Sequence, residues 1–346
     1  MTERLRIGIA GAGNIARAHI GAFKKLSEAC EIVALCDTDE RRVALLAEEH
    51  GIRGRYIEFE AMLLSETLDC IIVCTPTYLH CAQTIAALKF GISVLCEKPM
   101  AMDMEECLAM KSAAEDAGRI LYIGFNHRFY GKFLTVKELL STGDFGSITS
   151  MVAAIGHGGW KAHYGTWFTD KKLSGGGAFI TCGIHLLDML NWYGFRIESV
   201  FATMQRHFLD GNCEDDGMAL LKFENGGIGS LHASYAWQHH YAQNMRLNFE
   251  NTMVDIRDSE IVISRTGQSK PECVAFAETD SFYLQASAFV DAVLGKRAVF
   301  VSADDGIASL NIVVAAYQSH KASKWQPVPG RQGDAASSIQ SLTQHS

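Results

Sequence analysis

The run LRIGIAGAGNIARAH, residues 5–19, decides the fold. Its first part, LRIGIA (5–10), is branched and apolar and ends at glycine, as a buried strand does. The following NIARAHIGAFKKL (14–26) has helical spacing, with Ile15, Ala18, Phe23 and Leu26 near one face. Between them lies Gly11-x-Gly13-x-x-Ala16, a G-x-G-x-x-G/A pattern in the strand–turn–helix setting that makes it meaningful. Gly11 permits the tight turn, Gly13 lets a pyrophosphate approach the backbone, and small Ala16 lets the helix pack close to the sheet. The amides at the helix start, around Asn14 and Ile15, then face phosphate oxygens, aided by the helix dipole.

Working outward, EIVALCD (31–37) reads as a second strand and ERRVALLAEEH (40–50) as a second helix. Asp37 ends that strand, where a carboxylate accepts hydrogen bonds from ribose hydroxyls and repels a 2′-phosphate. NAD is therefore expected, and nearby Arg41 and Arg42 keep NADP open. LDCIIVCTP (68–76) is almost continuously apolar, the signature of a strand buried on both faces of a parallel sheet. HCAQTIAALKFG (80–91) is helical, and SVLCEKP (93–99) and ILYIGF (120–125) add strands. This alternation predicts an α/β, doubly wound parallel sheet over residues 1–125.

The pattern changes after Phe125. HRFYGKFLTVKELLSTGDFG (127–146) reads as one helix ending in a turn. GMALLKFENGGIGSLHASYA (217–236) reads as a hairpin turning at Asn225-Gly226, and NMRLNFENTMVDIRDSEIVIS (244–264) as further strand. Residues 126–329 are thus expected to form a second, α+β domain on a mostly antiparallel sheet, with helices at 282–295 and 303–323. The small polar stretch 330–346 reads as a flexible tail.

Composition excludes several classes. The 346 residues suit two domains, and a net charge of -8 without a Lys/Arg cluster argues against a nucleic-acid partner. The apolar runs read as too short to span a bilayer, and the N-terminal charges run into a glycine turn rather than a signal peptide. The 10 cysteines form no C-x-x-C pair, as expected of buried thiols in a reducing cytoplasm. No histidine spacing suggests a metal site.

VLCEKPMAMDMEE (94–106) sharpens the reading. A Glu97-Lys98-Pro99 tripeptide after a strand, downstream of such a fingerprint, resembles the Gfo/Idh/MocA oxidoreductase family, which includes glucose–fructose oxidoreductase and inositol 2-dehydrogenase. The resemblance runs to about residue 329 and takes in CTPTYLH, GFNHRFY, GGGAFITCGIHLLD (175–188) and FENGGIGSLHASYA. It implies an N-terminal Rossmann domain and a second domain whose large open sheet forms homodimers or homotetramers. It also implies that helix 303–323 packs back on the first domain. By resemblance, Thr75, Pro76, His80 and Asn126 lie at the cofactor and Glu97 near the nicotinamide ribose. Lys98 then sits between nicotinamide and substrate, often before a cis proline, and Arg128 sits at the domain junction within reach of substrate. His80 has a helix cap as its alternative role, and Arg128 has interdomain packing.

The implied reaction is reversible NAD(P)-linked oxidation of a secondary alcohol on a sugar, polyol or glycoside. The hydroxyl proton needs a base near neutral pH, which histidine provides, and an ammonium steadies the developing alkoxide. A helix over 179–192 places Thr181, His185, Asp188 and Trp192 on one face, after three glycines that let backbone approach a ligand. Active relatives usually carry Asp four residues before the histidine, where this chain has Thr181. A threonine neither shares a proton nor holds His185 charged. Acid–base duty therefore falls to His185 with Lys98, and Thr181 becomes a substrate contact; Asp188 anchors the helix or restrains the histidine. In GHGGWKAHYGTWF (156–168), Trp160, His163, Tyr164 and Trp167 suit stacking on a sugar ring, with core aromatics as the alternative. Two other functions fit the resemblance: a glycosidase that uses NAD transiently, and a non-catalytic dinucleotide or sugar sensor.

Overall fold

The structure is a computed structural model that describes residues 4–143, 145–159, 161, 165–237 and 241–330. Six strands form a wholly parallel sheet: β1 (Leu5–Ala10), β2 (Cys30–Cys36), β3 (Gly54–Tyr56), β4 (Cys70–Val73), β5 (Ser93–Glu97) and β6 (Leu121–Gly124). Their order is β3-β2-β1-β4-β5-β6, so the winding reverses between β1 and β4, where ligands bind at the carboxyl ends of such sheets. All of β4, β5 and β6 is buried, as their apolar runs require. Helices α1 (Asn14–Lys24), α2 (Glu40–His50), α3 (Phe59–Ser65), α4 (His80–Lys89) and α5 (Met104–Ala117) make the crossovers. Asp39 and Asp103 cap the starts of α2 and α5, and left-handed Gly51 and Gly118 stop them.

The second sheet has nine strands. These are β7 (Ile148–Gly156), β8 (Ile197–Gln205), β9 (Asp216–Phe223), β10 (Ile228–Ser234), β11 (Ala242–Phe249), β12 (Thr252–Ile256), β13 (Ile261–Arg265), β14 (Glu272–Val274) and β15 (Gln326–Pro327). Their order is β14-β13-β12-β11-β7-β10-β9-β8-β15, antiparallel except where β7 meets β10. Exposure alternates along β9, so one face is core and the other is open. Between strands lie α6 (Gly131–Ser141), α7 (Lys171–Ser174) and α8 (Ile184–Tyr193). After β14 the chain returns: α9 (Ser281–Val293) packs on α1, and α10 (Ala303–Ala322) packs against α5 and β6 on one side and α8 and β8 on the other. A capping box between Ser302 and Asp305 starts α10.

Three local expectations need correction. Residues 127–146 are not one helix: a 3-10 turn (Asn126–Phe129) and extended Tyr130 precede α6. Residues 179–192 are not a uniform α-helix either, because Phe179–Gly183 form a π-turn before α8. Finally, Lys171–Tyr193 is long and apolar enough to cross a membrane, contrary to the sequence reading, but 83% of that window is buried inside the fold. Its apolarity serves the core. The stretch 331–346 lies outside the described residues.

Candidate active site

Gly11 has φ +100°, and a Cβ there would lie 2.7 Å from the Cys74 carbonyl oxygen, so only glycine fits beside β4. Nothing stands within 4 Å of a Cβ built on Gly13, and no side chain caps α1. The first amides of α1, at exposed Asn14 and Ile15, are thus open to a phosphate. Asp37 follows β2 and accepts from Ala12 N at 2.7 Å and Asp39 N at 2.9 Å, which holds its carboxylate at the rim of the glycine turn. Arg42 pairs with Asp39 at 3.1 Å. These residues fit a dinucleotide, and NAD supplies the hydride acceptor there.

Beyond β4, Thr75 donates to Gln83 at 2.6 Å, and Pro76 leads into the turn before α4. His80 is buried with its ring nitrogens 2.9 Å from Pro99 O and 2.8 Å from Thr75 O. It ties the loop after β4 to the Glu97-Lys98-Pro99 segment and makes no side-chain cap on α4. Burial lowers its pKa.

The Lys98–Pro99 peptide is cis. Glu97, expected near the ribose, has both carboxylate oxygens on protein donors: His19 Nε2 at 2.8 Å and Lys98 N at 3.2 Å. Burial opposes its ionisation, but the His19 hydrogen bond and the Lys98 charge outweigh this and lower its pKa. Glu97 is thus an anchor beneath Lys98. Lys98 reaches across the cleft, and its Nζ donates to Thr181 O at 2.9 Å.

The second wall shows what each side chain already holds. Asn126 is buried and donates to Ser281 at 3.3 Å, which ties it to α9. Arg128 is 1% exposed; its guanidinium grips both oxygens of Asp188 at 2.6 and 2.8 Å and meets Asp305 at 3.1 Å. That is the packing role, and it leaves Arg128 out of reach of substrate. Asp188, fully buried, therefore anchors α8. The Thr181 hydroxyl is also committed, to Gly177 O at 2.7 Å and to the Tyr235 hydroxyl, so the backbone of Thr181 serves the site by holding Lys98. The glycines before it are needed by the protein itself: a Cβ on Gly177 would lie 1.6 Å from Glu214 O.

His185 is 5% exposed, and its Nδ1 is sealed from solvent without a partner. Its ring stacks on His127 at 3.5 Å with planes 13° apart. Burial, then His127 and the Lys98 charge, push the His185 pKa well below its ordinary value; burial, Lys98 and Lys132 do the same to His127. Both imidazoles are neutral at pH 7. Sequence reasoning missed His127, Tyr235 and Gln243. His127 sat unremarked between Asn126 and Arg128 in GFNHRFY, and that adjacency was the available signal. Trp160, His163 and Tyr164 lie outside the described residues. Trp167 stacks on Phe168 at 3.9 Å.

A parallel sheet in dinucleotide-binding order, with Lys98 just beyond β5 and a buried histidine on the facing domain, fits the class of NAD-dependent oxidoreductases. Comparison with known sequences carries this further. Residues 5–125 match the oxidoreductase family with an NAD-binding Rossmann fold, and residues 133–255 match the GFO/IDH/MocA C-terminal domain. The chain belongs to the Gfo/Idh/MocA oxidoreductase family. It is 30% identical to D-glucoside 3-dehydrogenase of Escherichia coli K12, over 91% of this chain and 95% of that one. It is 25% identical to myo-inositol 2-dehydrogenase of Thermotoga maritima, over 91% and 96%. The WlbA dehydrogenase of Bordetella pertussis, crystallised with NADH and UDP-GlcNAcA, superposes with a TM-score of 0.84 at 25% identity, covering 95% of this chain and all of that one.

Proposed function

We propose that this chain oxidises a ring secondary hydroxyl of a sugar, polyol or glycoside with NAD, or reduces the corresponding ketone, and that His185 and Lys98 manage the proton. The observation that carries the reading is the anchored Lys98 ammonium opposite a neutral, buried His185. One ammonium donor is held by Thr181 O, which leaves two for the substrate oxygen. They steady the alkoxide as its proton leaves. His185 takes that proton. Threonine at 181 brings no negative charge that would hold the imidazole protonated, so His185 stays available as a base well into mildly acidic solution. The kinship with a D-glucoside 3-dehydrogenase supports a glycoside hydroxyl as the first substrate to test.

Cofactor-end contacts are assigned to Gly11, Gly13, Asn14, Ile15, Asp37, Thr75 and Pro76, with NAD preferred over NADP. Residues 1–125 form the dinucleotide domain, rejoined by α9 and α10, and 126–329 form the substrate domain. The open face of the second sheet carries Val152, Met218, Leu220 and Ile228, all exposed, and Val152 and Leu220 flank Ser230 in register. This supports a homodimer or homotetramer through that face. Ten free thiols, six of them buried, support a reducing, cytoplasmic setting.

The test is a panel of polyols, hexoses and methyl glycosides with NAD and NADP, followed by formation of reduced cofactor. Substrate-dependent NADH accumulation supports the reading. Glycoside cleavage without net NADH would instead identify the redox-neutral glycosidase. Saturable binding without turnover would identify a sensor.

A further inference from the structure

We propose that His127 is a second substrate-contacting imidazole, locked as a hydrogen-bond donor, so that the site reads two hydroxyls on neighbouring carbons rather than a lone alcohol. This rests on the alcohol-oxidation reading above and deepens it by naming the group that contacts the hydroxyl beside the reacting one.

The lock begins at Tyr241. Its hydroxyl donates to Gln243 Oε1 at 3.2 Å, and the Gln243 amide nitrogen faces His127 Nδ1, also at 3.2 Å. Gln243 is fully buried, and its own backbone oxygen accepts from Lys132 Nζ at 2.9 Å, so the strand edge that carries it is fixed. An amide NH2 only donates, so His127 Nδ1 must accept. A neutral imidazole that accepts at Nδ1 carries its hydrogen on Nε2. That nitrogen has no hydrogen bond among the described residues and is not among the buried atoms sealed without a partner, so its hydrogen is left for a ligand. The ring itself cannot turn freely, because it stacks on His185 at 3.5 Å and on Tyr130 at 4.4 Å.

Two imidazoles in one stack therefore take different parts. His127 offers N–H at Nε2 and cannot act as the base there while Gln243 donates to Nδ1. His185 has no such donor on Nδ1, which is sealed without a partner, and is free to carry its hydrogen on that atom and accept at Nε2. A donor and an acceptor one stacking distance apart match the two oxygens of a vicinal diol: the proton leaves the oxygen at His185, while the neighbouring oxygen accepts from His127. A histidine present only for packing needs no fixed tautomer and no open nitrogen.

Two measurements test this on the NAD-saturated protein. The first is 15N NMR of the histidine rings. The expected result is a protonated Nε2 and a bare Nδ1 on His127, reversed in Gln243→Glu, whose carboxylate can only accept. A bare Nε2 in the unaltered protein overturns the proposal. The second compares methyl β-D-glucopyranoside with its 2-deoxy and 4-deoxy counterparts. Loss of the contacted hydroxyl should lower kcat/KM by roughly 10- to 100-fold for one of the two. In His127→Phe, which keeps a stacking ring without the donor, that penalty should shrink to within about threefold. The same penalty in both proteins overturns the substrate contact. If no sugar is oxidised at all, the alcohol-oxidation reading fails by itself, and the ring tautomer and its response to Gln243→Glu still decide whether His127 is the locked donor.

Discussion

Asp188→Asn is the sharpest test of how this site is held. Asp188 has no solvent exposure, and its two oxygens accept from Nη2 and Nε of Arg128, at 2.6 and 2.8 Å, with Ser309 at 3.4 Å as a further donor. Asparagine keeps the shape and removes the charge, which leaves a buried guanidinium with Asp305 as its remaining carboxylate. Removing one partner of a buried ion pair costs about 3–5 kcal/mol. Asp305 at 3.1 Å and the Trp192 ring 5.6 Å away moderate this, so a loss of about 2–3 kcal/mol is expected. For a chain of 346 residues that lowers Tm by about 3–4 °C, read by calorimetry and checked by urea unfolding. Activity should fall further than stability implies. Arg128 adjoins His127 and Asp188 lies one turn beyond His185, so the ion pair also keeps the two imidazoles stacked. A kcat reduction of about tenfold with KM nearly unchanged is expected from the misplacement. The pair Arg128→Met with Asp188→Leu should be less destabilised than either single change, because it leaves no unpaired charge. A loss of less than about 0.5 kcal/mol in Asp188→Asn would refute the reasoning.

Other perturbations separate the remaining roles. His185→Ala should leave NAD binding nearly intact, measured by fluorescence titration, and cut turnover by about 100-fold or more; near-normal turnover removes His185 as the base. Asp37→Ser should weaken NAD far more than NADP, read from the ratio of their kcat/KM values, because the ribose loses its acceptor and a 2′-phosphate loses its repulsion. Thr181→Val should destabilise by about 1 kcal/mol, since it removes the hydroxyl's bonds to Gly177 O and Tyr235, while KM changes less than about threefold; a large KM rise would identify Thr181 as a substrate contact. His80, His127 and His185 all bind protons more weakly folded than unfolded. The unfolded chain therefore takes up protons first as pH falls through about 6.5, so stability present at neutral pH is lost toward acid. Urea midpoints that stay level between pH 7 and 5 would contradict this.

Much of the molecule is legible in local chemistry. The dinucleotide end needs a strand, a glycine turn, a helix and an acid in order, and all lie within residues 5–37. Backbone sterics and the open amides of α1 act over a few residues, so pattern suffices. Asp37 is readable for the same reason, lying just beyond the end of a buried strand, whereas Lys98 needed a motif shared with a family. The other wall is different. Between substrate contact and packing, Arg128 was undecided until its partner 60 residues away came into view, and His127 drew no notice without Gln243, 116 residues away. At Thr181, no side-chain spacing shows that the hydroxyl meets Tyr235.

By itself the sequence determined the parallel sheet and the nicotinamide cofactor, which follow from periodicity, glycine and charge acting between neighbours; it singled out Lys98 and His185 only through motifs shared with a family. Only the tertiary structure decided which polar groups are already satisfied by the protein and which remain open to a substrate. That is a matter of burial and of hydrogen-bond partners brought together across the second sheet and α10, and no local pattern encodes it.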